Sequence, residues 1–332
     1  MSQPSASPIL LRQIAELLTS VKSLALAGHI HTDGDSLGSA GGLGLIMTEL
    51  GKQVHPVLLE EPPAKYRLLR DLSQFESELP EEPVELSLFL DSDNSNRLGK
   101  ASGLLNLATY TASLDHHPSH RRFCDHCYVD PKASAVGEIV FDLAQLMGAN
   151  ISPEAATLLL AAIMTDTGNF CFSNTTSKAL AVASELLRLG ADHTLLVNEL
   201  YYRVPLTSLV LAGRALSRAS RMEEFDLVWS WLDQRDFDET GADMGQTEGI
   251  IDELRSTNCS IAALLVEQPE GDTRVSLRSN GCCNVGLICR ELGGGGHAVA
   301  AGCAVPGGKG EAFSILLESI AGQAKGAQSA EG

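Results

Sequence analysis

Short apolar runs that each end in aspartate or histidine constrain this chain more than any other feature. Residues 24–27 lead into Gly28-His29-Ile30-His31-Thr32-Asp33-Gly34-Asp35, residues 86–90 into Asp91-Ser92-Asp93, and residues 110–114 into Asp115-His116-His117. A further run, 158–164, ends in Thr165-Asp166-Thr167-Gly168. The first of these runs reads as a buried strand leaving the core. In an open parallel sheet ligands bind beyond the carboxyl ends of the strands, so separate segments can deliver their polar ends to one crevice. Carboxylates gathered that closely repel one another unless a cation neutralises them, which makes the set a candidate dinuclear metal site. Taken alone, residues 28–39 are equally well a polar loop that turns the chain and caps the next helix.

The intervening segments fit the same architecture. Ile9, Leu10, Ile14, Leu17, Leu18 and Val21 recur at helical spacing, and 37–50 reads as a helix closed by Gly51. Its glycines Gly38, Gly41, Gly42 and Gly44 lower helix propensity and predict close packing against the sheet or the metal loop. A strand at 54–59 and helical stretches at 66–72, 135–147, 155–163 and 177–189 continue the alternation, which implies crossover connections. Residues 1–190 therefore read as a doubly wound α/β domain with a mostly parallel sheet, and 191–220 as a helical connector. A second, smaller α/β domain occupies 221–324. Its strands fall at 225–232, 261–266 and 273–278, with helices at 247–254, 285–292 and 311–320 and a short strand after His297. Pro269-Glu270-Gly271-Asp272 signals a hairpin, and 325–332 reads as a disordered tail.

Bulk properties narrow the function. With 332 residues, 44% of them hydrophobic, the chain can fill two cores. Neither a membrane-length apolar stretch nor a signal-peptide pattern at Met1-Ser2-Gln3-Pro4-Ser5 is present, which points to the cytoplasm. The eight cysteines, including adjacent Cys282 and Cys283, suit a reducing compartment. A net charge of -18 argues against wrapping long nucleic acid but not against short nucleotides. Ligands of the His and Asp type without Cys suit Mn²⁺, and Mg²⁺ less well. Two such ions can share a hydroxide and stabilise both attacking and leaving oxygens, which is phosphoester hydrolysis chemistry. His120, Cys124, His126 and Cys127 carry part of a zinc signature, but no second Cys-x-x-Cys exists. His55 and His193 read as ordinary histidines.

The motifs His29 to Ser39, Asp91, Asp115-His116-His117 and Thr165-Asp166-Thr167-Gly168 resemble, in order, those of the DHH phosphoesterase superfamily. Leu277-Arg278-Ser279 and the segment from Gly293 to Gly302, with His297 inside it, resemble its associated C-terminal domain. The resemblance implies that His29, Asp33 and Asp91 hold one metal and that Asp35, Asp91, His116 and Asp166 hold the other, with Asp91 bridging. It implies that Asp115 orients an imidazole, that His117 faces the substrate and helps protonate the leaving oxygen, and that Arg278, Ser279, Gly295, Gly296 and His297 bind the nucleotide or far phosphate. Seen alone, the glycine run is a helix cap and loop, and Arg97 is equally a surface ion-pair partner. Two positions depart from the family pattern. His31-Thr32 stands where many relatives have Asn-Pro, and Asn284 stands where Asp is frequent.

The activity implied is that of a nanoRNase and pAp phosphatase using two Mn²⁺ ions, with Mg²⁺ as a substitute. It would release nucleoside 5′-monophosphates from very short RNA and dephosphorylate 3′-phosphoadenosine 5′-phosphate (pAp). Alternatives are a phosphodiesterase for linear or cyclic dinucleotides, a RecJ-type single-strand exonuclease, and a regulatory module that binds nucleotides without hydrolysis. A homodimer is left open.

Overall fold

In the computed structural model residues 7–247, 249–296 and 298–330 are described, with side chains through residue 323. Two compact units result, Met1–Arg203 and Val204–Gly332. In the first, β1 (Ser23–Ala27), β2 (Gln53–Val57), β3 (Val84–Leu90), β4 (Ala108–Asp115) and β5 (His126–Val129) pair in parallel in the order β2-β1-β3-β4-β5. Strands alternate their side chains between faces. In β1, Leu24 and Leu26 enter the larger core, while Ala25 and Ala27 meet Phe89, Leu98 and Leu104 on the other side.

Parallel neighbours require crossovers, and α2 (Gly34–Glu49), α3 (Arg67–Ser73) and the short α4 (Leu104–Leu107) lie in the connections from β1 to β2, β2 to β3 and β3 to β4. Helix α1 (Pro8–Ser20) precedes the sheet, and α5 (Val136–Met147), α6 (Pro153–Asp166), α7 (Ser177–Arg188) and α8 (His193–Val197) follow it. The strand order reverses direction between β1 and β3, and His29 and Asp91 follow these two strands directly. Such a switch point opens a crevice at the strands' carboxyl ends.

The glycines of α2 pack mainly against other helices, whereas the sequence pointed to the sheet or the metal loop. A Cβ at Gly38 would lie 2.4 Å from the Leu158 carbonyl oxygen, and one at Gly42 2.7 Å from a Leu159 methyl, both on α6. At Gly41 it would meet Ser73 at the end of α3, and only Gly44 faces the sheet, at ordinary contact distances. The run 158–164 is the C-terminal half of α6, so Asp166 comes from a helix end rather than from a strand.

In the second unit α9 (Leu206–Ser217) precedes a six-stranded sheet. Its members are β6 (Ser220–Met222), β7 (Leu227–Leu232), β8 (Ile261–Glu267), β9 (Asp272–Ser279), β10 (Gly295–Gly296) and β11 (Ala300–Pro306), ordered β10-β11-β9-β8-β7-β6. Only β7 and β8 run parallel, and β8 and β9 form the expected hairpin. Helices α10 (Gln234–Thr240), α11 (Ile250–Arg255), α12 (Val285–Glu291) and α13 (Lys309–Ala330) complete it. The last of these extends through most of the stretch read as a disordered tail, and residues 331–332 lie outside the described ones. Asn284 caps α12 by accepting a hydrogen bond from the Leu287 amide, a task Asn performs as well as Asp. Among the described residues no helix is long and apolar enough to cross a membrane.

Candidate metal centre

Each expected ligand is brought in by local structure. His29 leaves β1 buried, its Nδ1 2.6 Å from the Ile30 carbonyl oxygen. Asp33 caps α2, accepting from the Ser36 amide at 3.0 Å. Asp35, two residues further along, is buried against the N-terminus of α5. There it accepts from the Val136 amide at 2.7 Å, the Gly137 amide at 3.0 Å and the Ser39 hydroxyl at 2.7 Å. Orphan amides and the helix dipole favour a carboxylate at such a position. Asp91 follows β3 with a left-handed φ of 59°, and His116 follows β4 with Nδ1 3.2 Å from the Ala133 carbonyl oxygen.

These elements converge. His29 Nε2 lies 3.2 Å from Asp91 and 3.6 Å from Asp33. His116 Nε2 lies 3.6 Å from Asp91, 3.6 Å from Asp166 and 4.0 Å from Asp35. The ligand atoms fall into three groups able to hold an ion: His29, Asp33 and Asp91; Asp35, His116 and Asp166; and Asp91, His116 and His117. Asp91 belongs to two of them. The cluster fits divalent ions on its own chemistry, because His29 Nε2 and Asp91 Oδ1, although near opposite charges, are buried without a hydrogen-bond partner among the described residues. Atoms in that condition are costly unless a cation completes them.

The electrostatics agree. Burial raises Asp35 well above the ordinary carboxylate range and Asp166 to about 6, and neighbouring carboxylates push both the same way. Burial would depress His29 and His116, but the surrounding aspartates outweigh it and lift them to about 10 and about 9. Without metal, then, both imidazoles carry protons at neutral pH that must leave before either nitrogen ligates. Mn²⁺ affinity is accordingly expected to rise between about pH 6 and 8, approaching tenfold per unit for each proton displaced. Calorimetry in buffers of different ionisation enthalpy measures that release, and a pH-independent affinity would contradict it.

Asp115 is fully buried beside this cluster and accepts from His117 Nδ1 at 2.8 Å. His117 is raised above its ordinary value. Burial opposes the shift, and the Asp115 hydrogen bond together with the charges of Asp91 and Asp115 prevails. His31 is exposed with a φ of 57°, a conformation that histidine and asparagine tolerate. Arg97 Nη1 approaches Asp93 at 3.9 Å, and His55 pairs with Glu76 at 2.9 Å. Among the described residues Cys124, Cys127, His120 and His126 enter no group able to hold an ion, so the zinc reading finds no support.

In the second unit Arg278 is half-buried, with Nε 3.1 Å from Asp252. Ser279 is buried and its Oγ accepts from the Gly281 and Cys283 amides, so it holds the following loop. The glycine run both terminates α12 and forms β10. The Gly294 amide donates to the Cys289 carbonyl, and Gly295 and Gly296 pair with Gly302 and Ala301 of β11. Gly296 has φ 135°, and a Cβ there would lie 2.6 Å from the Ala300 carbonyl oxygen. His297 lies outside the described residues.

Residues 23–163 match the DHH family, N-terminal domain, and 227–323 match the DHHA1 domain. The bifunctional oligoribonuclease and PAP phosphatase NrnA of Thermus thermophilus is 32% identical over 93% of both chains. Its counterpart in Bacillus subtilis is 27% identical over 85% of this chain and 89% of that one. An exopolyphosphatase-related protein from Bacteroides fragilis shares the fold, with a TM-score of 0.86, 23% identity and coverage of 95% of this chain and 96% of that one. RecJ of Thermus thermophilus, crystallised with Mn²⁺, shares it more loosely, with a TM-score of 0.56 and 16% identity over 97% of this chain and 56% of that one. With both domains present in sequence order and a full-length relative at this identity, the chain belongs to the DHH phosphoesterase family, in the DHHA1-bearing branch that contains the NrnA proteins.

Proposed function

We propose that this chain is an Mn²⁺-dependent phosphoesterase of the cytoplasm. It cleaves nucleoside 5′-monophosphates from very short RNA and removes the 3′-phosphate of pAp. The observation that carries this reading is the buried cluster at the switch point, in which His29 Nε2 and Asp91 Oδ1 make no hydrogen bond among the described residues. The NrnA relatives, similar over most of their length, favour these substrates over the dinucleotide and long-strand alternatives.

In this reading His29, Asp33 and Asp91 hold one ion, and Asp35, Asp91, His116 and Asp166 the other. Bound divalent ions supply Lewis-acid activation of water and neutralise the phosphoryl oxygens. The protein supplies the rest. Asp115 fixes the His117 ring through Nδ1 and holds it in its protonated form. His117 Nε2 then delivers a proton to the leaving 3′ oxygen as water's oxygen bonds to phosphorus. In the second unit Arg278 pairs with a substrate phosphate, the backbone amides of Gly295 and Gly296 approach it with His297, and Ser279 shapes the loop behind them.

The decisive assay follows 5′-labelled RNAs of about two, five and twenty-four nucleotides, alongside pAp and pyrophosphate, with Mn²⁺ and then with EDTA. Metal-dependent mononucleotide release from the shortest RNAs, with phosphate from pAp, is expected. Preference for the longest strand, or for pyrophosphate alone, would overturn the proposal. Arg278→Ala is expected to raise KM about 10- to 100-fold, the usual weight of a charge-assisted phosphate contact, with kcat within about threefold. An unchanged KM would remove Arg278 from the binding site.

A further inference from the structure

We propose that His120 is a positioning residue for this reaction, acting through Asp115 on His117. The inference rests on the reading of His117 as the proton donor. His120 lies beyond the Asp115-His116-His117 motif, and in the sequence it stood out only as a partner for Cys124 and Cys127.

The local chain explains how it returns. His117-Pro118-Ser119-His120 forms a turn in which the His120 amide donates to the His117 carbonyl at 3.1 Å. Proline at the second position presets the φ such a turn needs. Ser119 Oγ donates to Asp93 at 2.8 Å and pins the turn from outside. The His120 ring thereby reaches the far oxygen of Asp115, with Nδ1 donating to Oδ2 at 2.7 Å and both side chains fully buried.

The two oxygens of Asp115 therefore have separate tasks. Oδ1 accepts from His117 Nδ1 at 2.8 Å and from the His116 and His117 amides at 2.8 and 3.2 Å. Oδ2 accepts from His120. A carboxylate anchored through one oxygen can rotate about its last torsion, which is broad for aspartate. Anchoring the second oxygen fixes the carboxylate plane, and with it the tautomer and direction of the His117 ring. Solvent cannot substitute for that anchor at a site with no exposed surface. The His120 ring is itself held, with its centroid 5.6 Å from that of Phe123, which lies 5.7 Å from Phe89 near the end of β3. His120 Nε2 is buried without a hydrogen-bond partner, as His29 Nε2 is, but unlike His29 it joins none of the ion-holding groups among the described residues.

The test compares wild type with His120→Ala, His120→Asn and His120→Gln, using kcat and KM on a dinucleotide RNA and the imidazole N–H proton resonances of the metal-free proteins. Asparagine places an amide N–H where Nδ1 stands, whereas the glutamine amide reaches toward Nε2. His120→Ala and His120→Gln are expected to lose about 10- to 100-fold in kcat, in the range of losses at residues that orient metal-site histidines. Their KM should stay within about threefold, and His120→Asn should recover most of the rate. The His117 Nδ1–H resonance should shift or broaden in the alanine and glutamine variants and stay near its wild-type position in His120→Asn. Should His120→Ala not fold, the Asn and Gln pair carries the same comparison. Wild-type kcat in folded His120→Gln, or equal losses in Asn and Gln with the His117 resonance unmoved, would overturn the proposal. If wild type fails to cleave RNA, the functional reading fails, while the resonances still report whether His120 governs His117.

Discussion

Replacing Asp91 with asparagine is expected to lower kcat by at least about 10³-fold, ~4 kcal/mol of transition-state stabilisation, while the fold survives. Asp91 has a φ of 59°, a left-handed conformation that asparagine enters more readily than most other residues, so the side chain changes charge without forcing β3 to rearrange. Asparagine cannot bridge two cations as a carboxylate does, and Asp91 is the residue common to the His29-Asp33 group and the His116-His117 group. Burial already pushes the Asp91 carboxyl upward, so removing its charge relieves the metal-free cluster, and the Tm of the metal-free variant should match or exceed that of wild type. The rise in Tm on adding Mn²⁺ should shrink, because less binding free energy is available to favour the folded state. Retained turnover would remove Asp91 from the centre. A lost circular-dichroism transition would instead make it a folding residue.

The second large effect is on stability. Gly38→Ala should cost about 2 kcal/mol and lower Tm by about 4–8 °C, although alanine is the better helix former by about 1 kcal/mol. The added methyl would lie 2.4 Å from the Leu158 carbonyl oxygen and 3.0 Å from Ala162. A backbone oxygen has no rotamer into which it can retreat, so α2 and α6 must separate. Because α2 carries Asp35 and α6 carries Asp166, Mn²⁺ affinity should fall along with Tm. Gly44→Ala on the same helix is the control. Its Cβ would meet Leu26 at 3.5 Å, an ordinary contact, and the change should be neutral or stabilising. Equal thermal shifts in both variants would show that propensity rather than packing sets these positions.

The proposed ligand set was legible because His29, Asp91 and the Asp115-His116 pair close apolar runs that mark strand ends, and Asp33 and Asp35 follow in the same short loop and helix start as His29. Asp166 stood out as the polar end of a fourth apolar run, and 155–163 read as helical from its apolar content and place in the alternation rather than from an amphipathic period. Residues 158–164 are buried on every side, which erases the amphipathic signal that would identify a helix. The same full burial explains α2, whose glycines announced close packing without naming the neighbour. Ser279 carried a family motif, but whether its hydroxyl faces a ligand or a loop amide depends on the turn at Gly281, which no spacing rule encodes. His120 was the clearest miss. Its distance from the cysteines suggested zinc, whereas its role depends on a proline turn folding it back toward Asp115. Strands β5, β6 and β10 are four, three and two residues long, too short to establish alternation.

The provenance of the ligands has a mechanical consequence. His29, Asp91 and His116 issue from the ends of strands, Asp33 and Asp35 from the start of α2, and Asp166 from the last turn of α6. On the proposed ligand set, an ion shared among them would rivet the strand layer to the helix layer at one edge of the first unit. Amide protection at the start of α2 and the end of α6 then depends on metal far more than protection in α1 or α7. Opening at that edge is what a housekeeping protease meets first. On that reading, loss of metal would shorten the life of the folded first unit as well as stop its chemistry.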